Sequence, residues 1–189
     1  MRAGITASAA ASVFGLALIA GASAALAAPA PKCLKTDNFQ VVYREKADSV
    51  GSDILVQKLD GKPRKCAFDR KPGDYKIGGD DDANYVLGAA GDMLVIDQGT
   101  GPDRTLQLYD LQARKAVLTQ DYDDSEPVKI APGKVSFRAV TGPANASNCP
   151  DFKSFEANGL GAALTQAAEI ALPAAKMTLS GATGCIARQ

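Results

Sequence analysis

Short apolar runs alternate with polar turns through the middle of the chain. Four consecutive runs have the length of β-strands: NYVLGAA (Asn84–Ala90), GDMLVID (Gly91–Asp97), RTLQLYDL (Arg104–Leu111) and KAVLTQDY (Lys115–Tyr122). In the third run, Leu106 and Leu108 share one face, and Tyr109 and Leu111 take the other. Strands of this kind at roughly 10–14-residue spacing predict an antiparallel meander.

Similar patterns occur on both sides of this region. The strand pattern recurs at FQVVYR (Phe39–Arg44), DILVQKL (Asp53–Leu59) and KVSFRAVTG (Lys134–Gly142). A weak internal repeat of strand, loop, strand, basic turn and strand gives hairpins like those of a propeller blade, but the chain is too short for a closed propeller. We therefore predict an all-β fold in which an antiparallel meander forms a small barrel or sandwich.

The C-terminal third is less clearly patterned. We expect at most one short helix, a helical turn over Phe152–Asn158, because the Ala-rich segment that follows also permits a strand at Ala167–Leu172. The terminal MTLSGATGCIARQ predicts a closing hairpin that turns at Gly181–Gly184.

The first 27 residues have the pattern of a secretory signal peptide. A single charge, Arg2, precedes an Ala-rich apolar run that ends in the A-x-A motif of Ala25 and Ala27, and Pro29 follows. A retained membrane anchor is the alternative, but basic stop-transfer residues do not follow the run. We expect cleavage between Ala27 and Ala28, which leaves residues 28–189 as one periplasmic or secreted domain without a membrane anchor.

The charge of this domain excludes some partners. Removing Arg2 from 21 basic and 21 acidic residues leaves a net charge of −1. A balanced charge gives no steering towards nucleic acid. The sequence does not indicate the oligomeric state.

Four cysteines in an exported chain predict two disulfides. In an antiparallel hairpin the numbers of paired residues have a constant sum, and a turn centred between residues 49 and 50 makes that sum 99. Cys33 and Cys66 have the same sum, so we expect them to pair and leave Cys149 to pair with Cys185.

The absence of histidine restricts the possible chemistry. Without histidine the chain has no Ser-His-Asp or Cys-His catalytic group, and its cysteines are assigned to disulfides. Carboxylate-based glycan hydrolysis survives as an alternative, although the chain has no tryptophan to stack on sugars. No motif predicts a cofactor, so we expect a protein that is not an enzyme.

The glycine-rich segment Gln98–Arg104 could be a ligand loop or a hairpin tip. A dinucleotide loop needs a third glycine and a following helix, whereas here Pro102 follows the second glycine and a strand comes next. We therefore predict a hairpin tip, whose candidate contact residues for a partner are Gln98, Thr100, Asp103 and Arg104.

Two acidic segments resemble the start of a calcium loop. Asp80-x-Asp82-x-Asn84 lacks the glycine and the glutamate that an EF-hand needs, and the segment from Asp121 fails in the same way. We therefore predict solvated acidic turns and no metal site, with a calcium site of a kind other than an EF-hand as the alternative.

Three segments of the chain resemble a known group of proteins. They are NYVLGAAGDMLVIDQGTGPDRTLQLYDL, NCPDF and the terminal CIARQ. The chain resembles a group of small secreted bacterial proteins without an assigned function. The resemblance implies an exported, disulfide-bearing β domain and implies no catalytic or binding residues. The function that fits these features is binding of a secreted protein or an envelope component.

Export predicts a defined mature N-terminus. Sequencing of the protein recovered outside the cytoplasm should begin at Ala28 or within two or three residues of it. Recovery of a chain that still begins with Met1 would contradict both the predicted leader and the predicted compartment.

Overall fold

The computed structural model describes residues 29–189, so the predicted leader and its cleavage site lie outside the described residues. This part of the chain forms twelve strands and one short helix. Their bounds are β1 (Lys32–Lys35), β2 (Phe39–Glu45), β3 (Ser52–Lys58), β4 (Tyr75–Ile77), β5 (Asn84–Ala90), β6 (Met93–Gln98), β7 (Arg104–Asp110), β8 (Lys115–Asp123), β9 (Lys129–Ala131), β10 (Lys134–Pro143), α1 (Phe152–Ala157), β11 (Gly161–Ala171) and β12 (Lys176–Arg188). Within residues 29–189 no helix has the length and apolarity to span a membrane.

The strands form two antiparallel sheets. The smaller sheet has the order β1-β2-β3-β4, and the larger has the order β12-β11-β10-β8-β7-β6-β5, with β9 paired to β10. Strand β8 pairs with β7 along most of its length but with β10 only through Tyr122 and Asp123. The larger sheet can therefore fold over at β8, which separates β5–β8 from β9–β12.

Two apolar cores show that the strands lie in three layers. One core joins the first layer, β1–β4, to the middle layer, β5–β8, and includes Val41, Val56 and Ile96. The other joins the middle layer to the third layer, β9–β12, and includes Leu108 and Phe137. Within the middle layer, β6 is therefore buried on both faces, and each outer layer packs against the middle layer on one face.

The all-β antiparallel fold predicted from the sequence is confirmed. The hydrogen-bonded order of the larger sheet ends at β12 and β5, and no strand pairing joins these two strands within the described chain. Of the two architectures left open, the arrangement is a layered sandwich of blade-like meanders and not a closed barrel.

Both predicted disulfides are present. Cys33 pairs with Cys66 and Cys149 with Cys185, with Cα separations of 5.7 and 5.6 Å. Disulfides of this kind are typical of an oxidising compartment outside the cytoplasm.

The hairpin register used to predict the first disulfide is wrong by two residues. Phe39 pairs with Lys58, where the predicted sum of 99 would place it opposite residue 60. Cys33 also lies outside that hairpin, on β1, where it pairs with Val42. The cysteines meet because β1 pairs with β2 on the side away from β3, beside the loop that carries Cys66.

The C-terminal prediction is partly wrong. Helix α1 occupies the predicted place, but the following strand begins at Gly161 and not at residue 167. The predicted closing hairpin does not form, because β12 continues as one strand of 13 residues from Lys176 to Arg188. Gly181 lies in a bulge, since residues 181–183 lie opposite Gln166 alone, and Gly184 pairs regularly with Thr165.

Asp92 connects the first layer to the middle layer. It lies in the β5–β6 turn, and its carboxylate accepts hydrogen bonds from the Thr36 hydroxyl at 2.6 Å and from the Asn38 side chain at 2.5 Å. Burial alone would raise the pKa of Asp92, but the hydrogen bonds from Asn38 and Thr36 outweigh it and lower the pKa below the ordinary value. The connection is therefore strongest when Asp92 is ionised.

Replacing Asp92 with asparagine should make the free energy of unfolding less dependent on pH in the acidic range. A lowered folded-state pKa adds stability that is complete above the ordinary carboxyl pKa of about 4 and is lost as the pH falls through the folded-state pKa. Urea unfolding at pH 7 should show a loss of roughly 1–2 kcal/mol for Asp92→Asn, and the difference from wild type should shrink below about pH 4.

Asp81→Asn is the matched control, because Asp81 is exposed. It should leave the dependence of stability on pH close to that of wild type. A loss for Asp92→Asn that stays constant from pH 7 to pH 3 would contradict the assigned role of Asp92.

Candidate binding surface at the loop end

The predicted tip loop, Gln98–Arg104, joins two antiparallel strands. Gln98 pairs with Thr105, so the loop closes the β6–β7 hairpin. Gly99 and Gly101 have φ angles of 119° and 79°. An L-side chain is strained at such angles, and these two positions therefore need glycine to reverse the chain. We call the end of the layers that carries this loop the loop end.

The C-terminal strand holds the tip loop in place. Arg188 of β12 lies 2.8 Å from the Asp103 carboxylate and donates a hydrogen bond to the Pro102 carbonyl at 3.2 Å. The same guanidinium lies 3.4 Å from Asp121 on β8. Asp103 therefore fixes the tip loop to a residue 85 positions further along the chain, and this ion pair could not be read from the local turn sequence.

Arg104 does not project from the loop. Its guanidinium pairs with the buried carboxylate of Asp97 and lies 5.5 Å from the centre of the Tyr85 ring. The hydrogen bond to Asp97 raises the pKa of Arg104 above its ordinary value. Burial raises the pKa of the neighbouring Tyr122, and the charge of Asp97 adds to the effect. These groups form a fixed polar cluster beneath the loop.

The four predicted contact residues thus have different environments. Gln98 accepts a hydrogen bond from Gln107 at 2.6 Å, and Arg104 is mostly buried. Asp103 remains partly exposed beside Arg188, and Thr100 is exposed at the tip. A partner could reach Thr100, the backbone around it and one side of Asp103.

Three arginines face the acidic segment Asp121–Glu126. Arg188 approaches Asp121, Arg104 lies 3.9 Å from Asp124, and Arg138 lies within 4 Å of both Asp123 and Glu126. The arginines come from β7, β10 and β12, so the segment ties these strands together. The sequence identified the acidic residues but not the arginines that face them.

A lysine occupies the other acidic segment. The Lys46 ammonium group donates hydrogen bonds to the carbonyls of Gly79, Asp80 and Asp82, at 3.0, 2.7 and 2.7 Å. This charge lies where a cation bound by the loop backbone would lie. Over residues 29–189 no group of three or more His, Cys, Asp or Glu side chains is arranged to hold a metal ion.

A shallow groove of about 370 Å³ lies beside the tip loop, between the first layer and β5. Its lining includes Tyr43, Arg44, Glu45 and Tyr85. Because Tyr85 also contacts Arg104 beneath the tip loop, the tyrosine groove and the tip loop lie at the same end of the layers. No local sequence pattern indicates the groove, because residues 43 and 85 belong to different sheets.

The buried carboxylates are engaged in structural contacts. Arg64 Nη1 donates hydrogen bonds to both carboxylate oxygens of Asp74, at 2.7 and 2.8 Å. Asp97 pairs with Arg104, and Asp123 lies 3.9 Å from Arg138. Glu45 is the one carboxylate that lines the tyrosine groove among the residues described. Hydrolysis of a glycosidic bond usually uses two carboxyl groups that face the same bond.

Comparison of the chain with models of protein families, with curated proteins and with solved structures gives no match. The geometry of the loop end is therefore the basis from which a function can be inferred.

The two tip glycines should differ in their tolerance of a side chain. A Cβ added at Gly99 would come within 2.8 Å of the Asp103 carbonyl oxygen, whereas one at Gly101 would lie 3.4 Å from the flexible end of Gln189. Both positions carry the strain of positive φ, roughly 1–2 kcal/mol.

Gly99→Ala should therefore lower the free energy of unfolding in urea by more than Gly101→Ala does. Equal losses for the two variants would contradict the close approach at Gly99. The two variants are matched controls for each other, because they make the same change within one loop.

Proposed function

We propose that the protein is an exported, non-catalytic binding domain of the periplasm or the cell exterior. Its partner is another secreted or envelope protein, which contacts the tip loop and the tyrosine groove at the loop end.

The observation that carries this proposal is the fixation of the tip loop by Arg188. Two contacts from the C-terminal strand, to Asp103 and to Pro102, hold an exposed hairpin tip that would otherwise be free to move. Binding by a loop that is already ordered loses less conformational entropy, so a small contact surface can give useful affinity.

The tyrosine groove supplies side chains that suit a protein interface. Tyrosine is enriched among the residues that dominate binding energy, and Tyr43 and Tyr85 lie together in this groove. The groove is open and carries both signs of charge, which suits a side chain or a short peptide segment better than an enclosed small molecule. Its single carboxylate favours binding over the alternative of glycan hydrolysis.

A capture experiment with matched variants tests the proposal. The mature protein is immobilised and exposed to an extract of the cell envelope and secreted proteins. Thr100→Arg places a large charged side chain at the exposed tip, and Ala113→Arg makes the same addition at the exposed β7–β8 turn. We expect a partner that wild type and Ala113→Arg retain and that Thr100→Arg loses.

Three outcomes would contradict the proposal. Retention of the same partner by Thr100→Arg would remove the tip loop from the interface. Release of reducing sugars from envelope glycans by the purified protein would support the hydrolase alternative. A partner lost equally from both arginine variants would show an effect of added charge and not of position, provided that both variants keep the melting temperature of wild type.

A further inference from the structure

Among residues 29–189, strand β12 has no partner strand along its outer edge and so presents a long free edge. It is the terminal strand of the larger sheet and has 13 residues, compared with four in β1 and three in β4, the edge strands of the smaller sheet. The other edge strand of the larger sheet, β5, has seven residues and is interrupted by a bulge at Leu87. A long edge with unpaired backbone groups is a template for another strand.

The bulge divides this edge into two regular parts. Residues 181–183 lie outside the regular pairing with β11, and Gly181 has a φ angle of 76°. The part before the bulge, Lys176–Ser180, pairs regularly with Ala167–Ala171 and is called the edge run here. The part after it is connected to Cys149 by the second disulfide and to Asp103 by Arg188. The edge run has neither of these attachments.

Apolar side chains of the edge run extend the core to the border of the sheet. Met177 pairs with the buried Ile170, and Leu179 pairs with the buried Ala168, so both side chains lie on the core face. Met177 packs against that core, but Leu179 remains 45% exposed because no further strand covers it.

We propose that the edge run pairs antiparallel with the edge run of a second copy of this chain, about a two-fold axis at Thr178. Each Met177 then lies opposite Leu179 of the second copy on the core face. On the outer face Thr178 faces its own copy, and Lys176 faces Ser180. Apolar pairs and threonine pairs directly across strands are favourable, and this register places no like charges opposite each other.

The charges also exclude pairing along the whole strand. An antiparallel pair centred on Ala182 would place Lys176 opposite Arg188 at both ends, and the bulge would lie in its middle. In a two-fold pair, the backbone groups of each edge run form hydrogen bonds with the other copy. No edge run is left to recruit a further copy, so the pair does not extend into a fibre. Since the edge run begins at the β11–β12 turn, at the end of β12 remote from Arg188, both loop ends stay free in the dimer.

Sedimentation of the mature protein over a range of concentrations tests this pairing. Wild type should form a reversible dimer. Thr178→Lys places two lysines opposite each other at the centre of the pair and should weaken the dimer roughly tenfold. Ala182→Lys adds the same charge to the same strand, but in the bulge, and should dimerise like wild type.

A charge-reversal mixture tests the two-fold register itself. Thr178→Lys and Thr178→Glu should each dimerise poorly alone, and their equimolar mixture should dimerise at least as well as wild type, because opposite charges then meet. A wild type that stays monomeric at millimolar concentration would overturn the proposal, as would equal weakening by Ala182→Lys. If both variants fold and melt like wild type, failure of the mixture to recover dimerisation would overturn the proposed register.

Discussion

Strand β6 is buried on both faces, and the layered architecture depends on this constraint. Leu94, Val95 and Ile96 are all fully buried, yet successive side chains of a strand point in opposite directions. Val95 belongs to the core shared with the third layer, and its two neighbours belong to the core shared with the first. A single sheet exposed to water on one side could not accommodate such a run, so the middle layer needs a cover on each face.

The outer layers carry the disulfides for a related reason. Cys33–Cys66 lies in the first layer and its loop, and Cys149–Cys185 joins the third layer to the segment before α1. Each outer layer packs against the middle layer through one face only. It therefore has less buried apolar surface to stabilise it than a layer packed on both faces. The middle layer has no disulfide and is stabilised by packing from both sides. Covalent and hydrophobic stabilisation are therefore divided between the layers.

The sequence predicted the local structure better than the contacts between layers. The run Asn84–Ala90 is a strand over the predicted residues, and Leu106 and Leu108 share a buried face as expected. The first disulfide was predicted through a register wrong by two residues, an error that leaves every side chain on its correct face because the period of a strand is two. The Ala-rich composition of β11 led to a prediction of too short a strand. The glycines of β12 led to a predicted turn, because bulges and reverse turns have similar compositions.

The candidate surface could not be found from the sequence, because its components are distant along the chain. The tip loop depends on Arg188, and the groove brings Tyr43 to Tyr85. The alternation of apolar and polar residues and the propensity for turns depend on residues that are close in sequence. They cannot predict an ion pair between residues 85 positions apart. The exposed position of Thr100 at a hairpin tip was the one element of the surface that local pattern could supply.

The Lys46 ammonium group has a consequence for the environment in which the protein can work. Many extracellular domains fix an acidic loop with a diffusible ion, and their shape then varies with the supply of that ion. Here the positive charge is attached to the chain by a side chain and is held by three carbonyls of the loop before β5. It cannot be removed by a chelator or lost by dilution. The contact between the first layer and this loop therefore needs no bound metal ion to supply its positive charge.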